Sequence, residues 1–180
     1  DKLNALAQQL QQQYNIQVEV IVKDLSETSA PQEILDAVQA KGLSVDMLIN
    51  NAGFGDYGEF AQTDCDRQIE MIQLNNIALV ALTHKFLPQM REKGSGSIIN
   101  IASIAAYQPI PYISVYAATK AFVRSFSEAL WAESRQYGVR VLVVSPGPTE
   151  TNFFKEANFP PALARNAQSM STPKEVVDEA

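Results

Sequence analysis

Apolar residues along the chain fall into two patterns. Four short runs rich in β-branched residues, 16–22, 45–49, 97–101 and 139–144, are too brief for helices and read as strands. The second and fourth are nearly continuous in apolar residues, as expected of strands covered on both faces. Between the runs, stretches at roughly 31–41, 64–92 and 115–137 read as helices. Strand alternating with helix predicts an α/β fold: a doubly wound parallel sheet, Rossmann-like, in three α/β/α layers.

In such a sheet, ligands sit beyond the carboxyl ends of the strands, so the segment after each run matters most. Asp24 comes after the first, NNAGFG (50–55) after the second, ASIAAY with Ser103 after the third, and SPGPTET (145–151) after the fourth. Each segment is polar or rich in glycine and proline, which also suits an ordinary turn. Together the four segments line one edge of the sheet.

The ends carry helical signals of their own. The chain opens inside a helical pattern (Leu3, Leu6, Ala7, Leu10). It closes on STPKEVVDEA, where Thr172 as N-cap, Pro173 at the first helical position and Glu175 three residues after the cap mark a helix start. The expectation is one domain over 1–180, an internal portion of a longer fold, incomplete at both ends.

Composition narrows the functional classes. With 180 residues, 46% hydrophobic, there is ample material for one core. A formal charge of −6 without an offsetting basic run argues against a nucleic-acid or anionic-membrane surface. No apolar run approaches the ~18 residues of a spanning helix. Cys65 is alone, which excludes an intrachain disulfide and suits a reducing, cytoplasmic setting. With one histidine, His84, and one cysteine, no metal site is expected.

The chemistry concentrates in SVYAATKAFVRSFSEALW (114–131). Tyr116 and Lys120 are four apart, hence on one helical face. An ammonium beside a phenol favours the phenolate. Bringing a tyrosine pKa from ~10 to about 7 takes roughly 4 kcal/mol, more than one lysine in a wet site supplies without a cationic cofactor ring nearby. A tyrosine so tuned serves as general acid or base. The bare pair arises by chance in many helices, but it is not bare. Ser103 lies just past a strand, thirteen residues earlier, and Asn75 sits in QLNNIAL among apolar neighbours, where a carboxamide must cap something internally or hold a water.

With NNAG at 50–53, Asn75, Ser103 in NIAS, YAATK at 116–120 and PGPTET at 146–151, the chain resembles the short-chain dehydrogenase/reductase family. The resemblance implies a catalytic set of Asn75, Ser103, Tyr116 and Lys120. Tyr116 would exchange a proton with the substrate oxygen, Ser103 would polarise the carbonyl, and Asn75 would keep a water linking Lys120 to solvent. Lys120 would hold the nicotinamide ribose and depress the Tyr116 pKa. The cofactor contacts implied are Asp24, Asn51, Ala52, Gly53, Tyr116, Lys120, Pro146, Gly147, Thr149 and Thr151. The cofactor is NADP(H) or NAD(H), with a lean to NADP(H) because DKLNALAQQL resembles the helix after a basic second-strand end. The family's glycine-rich phosphate loop has no counterpart in these residues, and GSG at 94–96 precedes a strand rather than joining a strand to a helix.

The implied activity is interconversion of a secondary alcohol and a ketone by hydride transfer. The segment 152–171 is long and proline-containing, as a substrate lid would be. Its Phe153 and Phe154, with Phe159, join Tyr107, Ile110 and Tyr112 as candidates for a pocket taking an apolar ketone or a 3-ketoacyl substrate; equally, these aromatics anchor the loop. The resemblance also implies a homodimer or homotetramer through helices 64–92 and 115–137. Two other readings are a nucleotide-sensing or partner-binding module without catalysis, which has no use for all four catalytic-type residues, and a sugar-nucleotide epimerase or dehydratase, for whose larger carboxyl-terminal part there is no room.

Overall fold

The computed structural model describes residues 2–161 and 170–180. Its centre is a three-stranded parallel sheet in the order β1 (Met47–Asn50), β2 (Gly96–Ile101), β3 (Val139–Val144). The register pairs Leu48 with Ile98 and Ile98 with Val141. Helices α1 (Lys2–Tyr14) and α2 (Ala30–Ala40) precede the sheet. Between β1 and β2 the chain runs through α3 (Cys65–Ile72), a π-helical turn (Gln73–Ala78) and α4 (Leu79–Lys93). Between β2 and β3 lies α5 (Ser114–Ser134), followed by a 3-10 turn at Arg135–Tyr137.

The helices follow from local rules. Asp64 caps α3, accepting from the Asp66 N–H at 3.0 Å. Gly94, at φ 71°, ends α4 in the left-handed conformation that a residue lacking Cβ adopts freely. After β3 come α6 (Phe153–Glu156) and α7 (Pro173–Asp178). The capping box read from Thr172 and Glu175 is formed, with Glu175 N–H to Thr172 Oγ1 at 3.2 Å and Thr172 N–H to Glu175 Oε2 at 2.7 Å.

One face of the sheet meets α4 and α5. Leu82, Phe86 and Met90 of α4 and Leu130 of α5 pack on Ile98, Val139 and Val141, with Ile34, Leu35 and Val38 of α2 against the same cluster. The opposite face, expected to be covered as well, leaves Met47 52%, Ile49 54% and Leu142 40% exposed. The near-continuous apolar runs thus reflect strand chemistry suited to two covered faces, of which the described residues cover one.

The expected strand at 16–22 does not form. Its backbone joins no strand, the Val18 carbonyl accepting instead from Gln11 Nε2 at 3.2 Å, and Ile16 and Val22 are exposed. An apolar β-branched run becomes a strand only where a neighbouring edge accepts its backbone hydrogen bonds, and among the described residues none does. The single helix expected over 64–92 is interrupted at 73–78 by the widened turn, which brings adjacent Asn75 and Asn76 into the interior together.

Candidate active site

The strand ends converge on the first two turns of α5. Helical spacing places Tyr116 and Lys120 one turn apart, with Lys120 Nζ 5.8 Å from the Tyr116 ring centre. Both are buried, at 9% and 6% exposure. Lys120 Nζ donates to the Ile101 carbonyl at 2.8 Å, fastening α5 to the end of β2. Burial penalises the ammonium and pulls the lysine pKa down to about 8.

Tyr116 behaves differently from the sequence expectation. Burial pushes its hydroxyl above the ordinary tyrosine value, and the hydrogen bond with Ser103 works in the opposite direction. The Lys120 ammonium is turned to the Ile101 carbonyl, and desolvation of a would-be phenolate dominates. Ser103 is held in extended backbone at the close of β2, where its Oγ also accepts from the Ala105 N–H at 3.1 Å. It thereby reaches Tyr116 from the sheet edge.

Asn75 is almost fully buried, and its carboxamide is spent on protein partners. Oδ1 accepts from the Phe54 N–H at 3.1 Å, while Nδ2 donates to the Phe54 carbonyl at 2.9 Å and to Thr119 Oγ1 at 3.1 Å. Both amide protons are used, so the side chain caps the loop after β1 internally and has none left to give a water. A Cβ on Gly53 would fall 2.9 Å from Asn75 Oδ1, closer than a side chain tolerates, and 3.5 Å from Lys120 Nζ, an ordinary contact, so the loop passes the asparagine at a distance only glycine allows. Asn76 is a site residue that sequence reasoning misses. Its Nδ2 donates to the Thr119 carbonyl at 3.0 Å, tying the π-helical turn to α5; the Asn-Asn doublet within an apolar stretch is the signal that could have found it.

Among the cofactor candidates, Asn51, Ala52 and Gly53 lie exposed beyond β1. Asn51 and Ala52 line a small cavity with Leu25, Leu48 and Leu74. Asp24 sits beside Leu25, its carboxylate held by the Ser26 N–H at 2.9 Å and the Ser26 hydroxyl at 2.7 Å, which lowers its pKa. Beyond β3, Pro146 and Gly147 line a second cavity with Ser145, Ser171 and Val176. The Pro146 carbonyl accepts from the Ile104 N–H at 3.0 Å, binding that loop to the Ser103 turn. Thr149 Oγ1 donates to the Gly147 carbonyl at 3.0 Å, and Thr151 Oγ1 accepts from the Phe153 N–H at 3.2 Å.

Of the expected pocket residues, Ile110 and Phe153 pack around Tyr116, the Phe153 ring centre lying 5.1 Å from that of Tyr116. Phe154 meets Phe153 edge-on at 5.7 Å. Tyr112, at φ 67°, stacks on Tyr57 at 5.6 Å, and Tyr57 reaches Phe159 at 5.0 Å. Tyr57 is likewise missed by sequence reasoning, since DYGEF carries no pattern of its own. Tyr107 stands apart under the Arg124 guanidinium at 4.3 Å, with no ring contact to this set among the described residues. Of the expected lid at 152–171, residues 162–169 lie outside the described residues. Cys65 and His84 are exposed, and the described residues contain no cluster of groups able to hold a metal ion. None of the described helices is long and apolar enough to cross a membrane.

A buried tyrosine and lysine and a half-buried serine at a strand-end edge, beside an asparagine-glycine loop, form the arrangement that the motifs imply for a short-chain dehydrogenase, and the comparisons agree on the family. The short chain dehydrogenase family model matches residues 1–160, and the chain belongs to that family. A very-long-chain 3-oxoacyl-CoA reductase of Anas platyrhynchos is 35% identical over 161 residues, covering 86% of this chain and 51% of the relative. Sulfoacetaldehyde reductase 2 of Chromohalobacter salexigens is 37% identical over 155 residues, covering 85% and 61%. The chain thus spans about half to three-fifths of these relatives. A short-chain dehydrogenase from Sphingobium yanoikuyae, solved in complex with NADPH, superposes with a TM-score of 0.90 at 30% identity, covering 98% of this chain and 68% of that one.

Proposed function

We propose that this chain carries the catalytic half of an NADP(H)- or NAD(H)-dependent oxidoreductase that interconverts a secondary alcohol and a ketone. The observation that carries the reading is the buried Tyr116 hydroxyl close to Ser103, with the Lys120 ammonium one turn away beside Gly53. The residues suit a dinucleotide. Lys120 spends one ammonium proton on the Ile101 carbonyl, which leaves two for ribose hydroxyls, and Gly147 would meet nothing within 4 Å if it carried a Cβ, leaving room above β3. NADP(H) is favoured by the NADPH complex of the Sphingobium neighbour. When bound, the nicotinamide supplies or accepts the hydride.

The chain's own residues handle the oxygen. Tyr116, kept protonated by burial, donates its proton to the carbonyl oxygen in reduction, and Ser103 hydrogen-bonds that oxygen and the tyrosine. Lys120 holds the ribose and, as a cation one turn away, stabilises the phenolate left behind. Asn75 acts by fixing Phe54 and Thr119, and so the approach of Gly53 to Lys120. A water at Asn75 would be held by its main chain or by the second lone pair of Oδ1, since both side-chain protons are committed. Asp24, Asn51 and Ala52 would border the adenosine, and Pro146, Gly147, Thr149 and Thr151 the nicotinamide.

The wall of Ile110, Phe153 and Phe154 favours an apolar ketone or 3-ketoacyl substrate, in keeping with the activity that the Anas relative is named for. Tyr112 belongs to the rim through Tyr57, and Tyr107 is left out of the pocket. Exposed Ile69, Ile72, Ile77, Phe122 and Trp131 on the two long helical segments suit self-association as a homodimer or homotetramer, testable by sedimentation. The first test of function is a fluorescence titration of the purified protein with NADPH and with NADH, followed by a ketone panel. Binding of neither nucleotide would sink the proposal, and turnover confined to small polar sugars would remove the apolar substrate.

A further inference from the structure

Asp56 is 6% exposed and lies outside the proton-transfer set, yet its carboxylate collects three side-chain donors from two places in the chain. Arg67 Nε and Gln68 Nε2, both on α3, donate at 3.0 and 2.7 Å, and Asn158 Nδ2, just past α6, donates at 2.8 Å. Arg67 makes a second bond, Nη2 to the Glu156 carbonyl at 2.8 Å, and its guanidinium lies over the Phe54 ring at 5.0 Å. The neighbouring Tyr57 N–H donates to the Ala157 carbonyl at 2.8 Å. A carboxylate taken from water needs such donors, and here they belong to the elements that must be held together.

This knot holds down the aromatic turn over Tyr116. Segment 153–159 carries Phe153, whose ring covers Tyr116, and Phe159, whose ring centre is 5.1 Å from that of Phe154. The turn is pressed against the loop so closely that a Cβ on Gly55 would fall 2.7 Å from Phe153 Cζ. Asn158 stands at φ 57°, a left-handed position that asparagine tolerates better than most residues, so its carboxamide can turn back onto Asp56.

We propose that Asp56 is a specificity-determining positioning residue: through Arg67 and Asn158 it clamps segment 153–159 over Tyr116 and sets how bulky a carbonyl substrate the site admits. The clamp itself rests on these contacts alone; its consequence for selectivity rests on the oxidoreductase reading above. Nothing in the knot touches the reacting atoms, so loosening it changes which substrates enter more than the chemistry they undergo.

The test uses Asp56→Asn and Asn158→Asp in the whole protein, with Asn158→Gly as the milder change that keeps the left-handed turn while deleting one bond. Asn158→Asp sets a second carboxylate against Asp56 at the exposed end of the knot, so it serves where Asp56→Asn fails to fold. Amide hydrogen exchange is read at Ala157 and Phe159, which bond to the Phe153 and Phe154 carbonyls at 2.8 and 3.0 Å. Exchange there is expected to rise at least about tenfold in Asn158→Asp, less in Asn158→Gly, with the α5 core unchanged. Unchanged exchange at 157 and 159 overturns the clamp. The second readout is the ratio of kcat/KM for 4-phenylcyclohexanone over cyclohexanone with NADPH. A shift of at least about fivefold toward the bulkier ketone, carried by KM, is expected, and an unchanged ratio despite faster exchange overturns the specificity role. Turnover of neither ketone by the unaltered protein tells against the oxidoreductase reading, while the exchange result still decides the clamp.

Discussion

Replacing Lys120 by methionine should stabilise the nucleotide-free protein at neutral pH. The lysine is buried, and burial draws its pKa from 10.5 to about 8. At about 1.36 kcal/mol per unit, keeping the ammonium protonated in that position costs roughly 3 kcal/mol. Methionine fills a similar volume without charge but gives up the bond to the Ile101 carbonyl, worth about 1 kcal/mol, leaving a gain of about 2 kcal/mol at pH 7. The sign of the pH dependence comes from the lowered native pKa. Between about pH 8 and 10.5 the unfolded chain binds more protons than the native one, so wild-type stability rises with pH across that window and the penalty fades. Urea melts of both proteins at pH 7 and pH 10 would measure the difference. The methionine advantage should shrink by about 2.5 kcal/mol between them, to near zero. A variant destabilised equally at both values would refute the reasoning, because the ammonium would then have a partner that offsets its burial. The same substitution should remove the proposed ribose contact, so greater stability and weaker nucleotide binding should appear together.

Asn75→Ala leaves the Phe54 N–H and carbonyl without their carboxamide partner and should cost about 2–4 kcal/mol, lowering Tm by about 2–4 °C per kcal/mol; a melt within about 2 °C of wild type would mean that water replaces the amide fully. Gly55→Ala drives a methyl group into the Phe153 ring and toward Tyr116 Cδ2 at 3.2 Å; a cost of about 1–3 kcal/mol with altered ketone selectivity is expected, checked by urea melt and by KM for a bulky ketone. Tyr116→Phe should lower kcat by at least about a hundredfold while the nucleotide Kd moves less than about twofold, as read by single-turnover kinetics and titration.

Much of this site is legible in the sequence because helices and strands impose fixed periods on their side chains. The four-residue spacing of Tyr116 and Lys120 guarantees one face of α5, and the position of Ser103 at the close of β2 guarantees the sheet edge. The capping box at Thr172 is equally local, since its partners lie three residues apart. The sequence alone leaves open whatever depends on a partner distant along the chain. The run 16–22 has strand chemistry but no edge among the described residues to pair with, and the apolar Met47, Ile49 and Leu142 stay exposed because covering them is not a local property. Asn75 has the chemistry to hold water or backbone; only the approach of Phe54 and Thr119, 21 and 44 residues away, commits its protons. Asp56 and Asn158, 102 residues apart, carry no shared pattern at all. Their pairing exists because the chain after β3 returns over the loop after β1, and burying a carboxylate there demands donors from whatever the fold brings near.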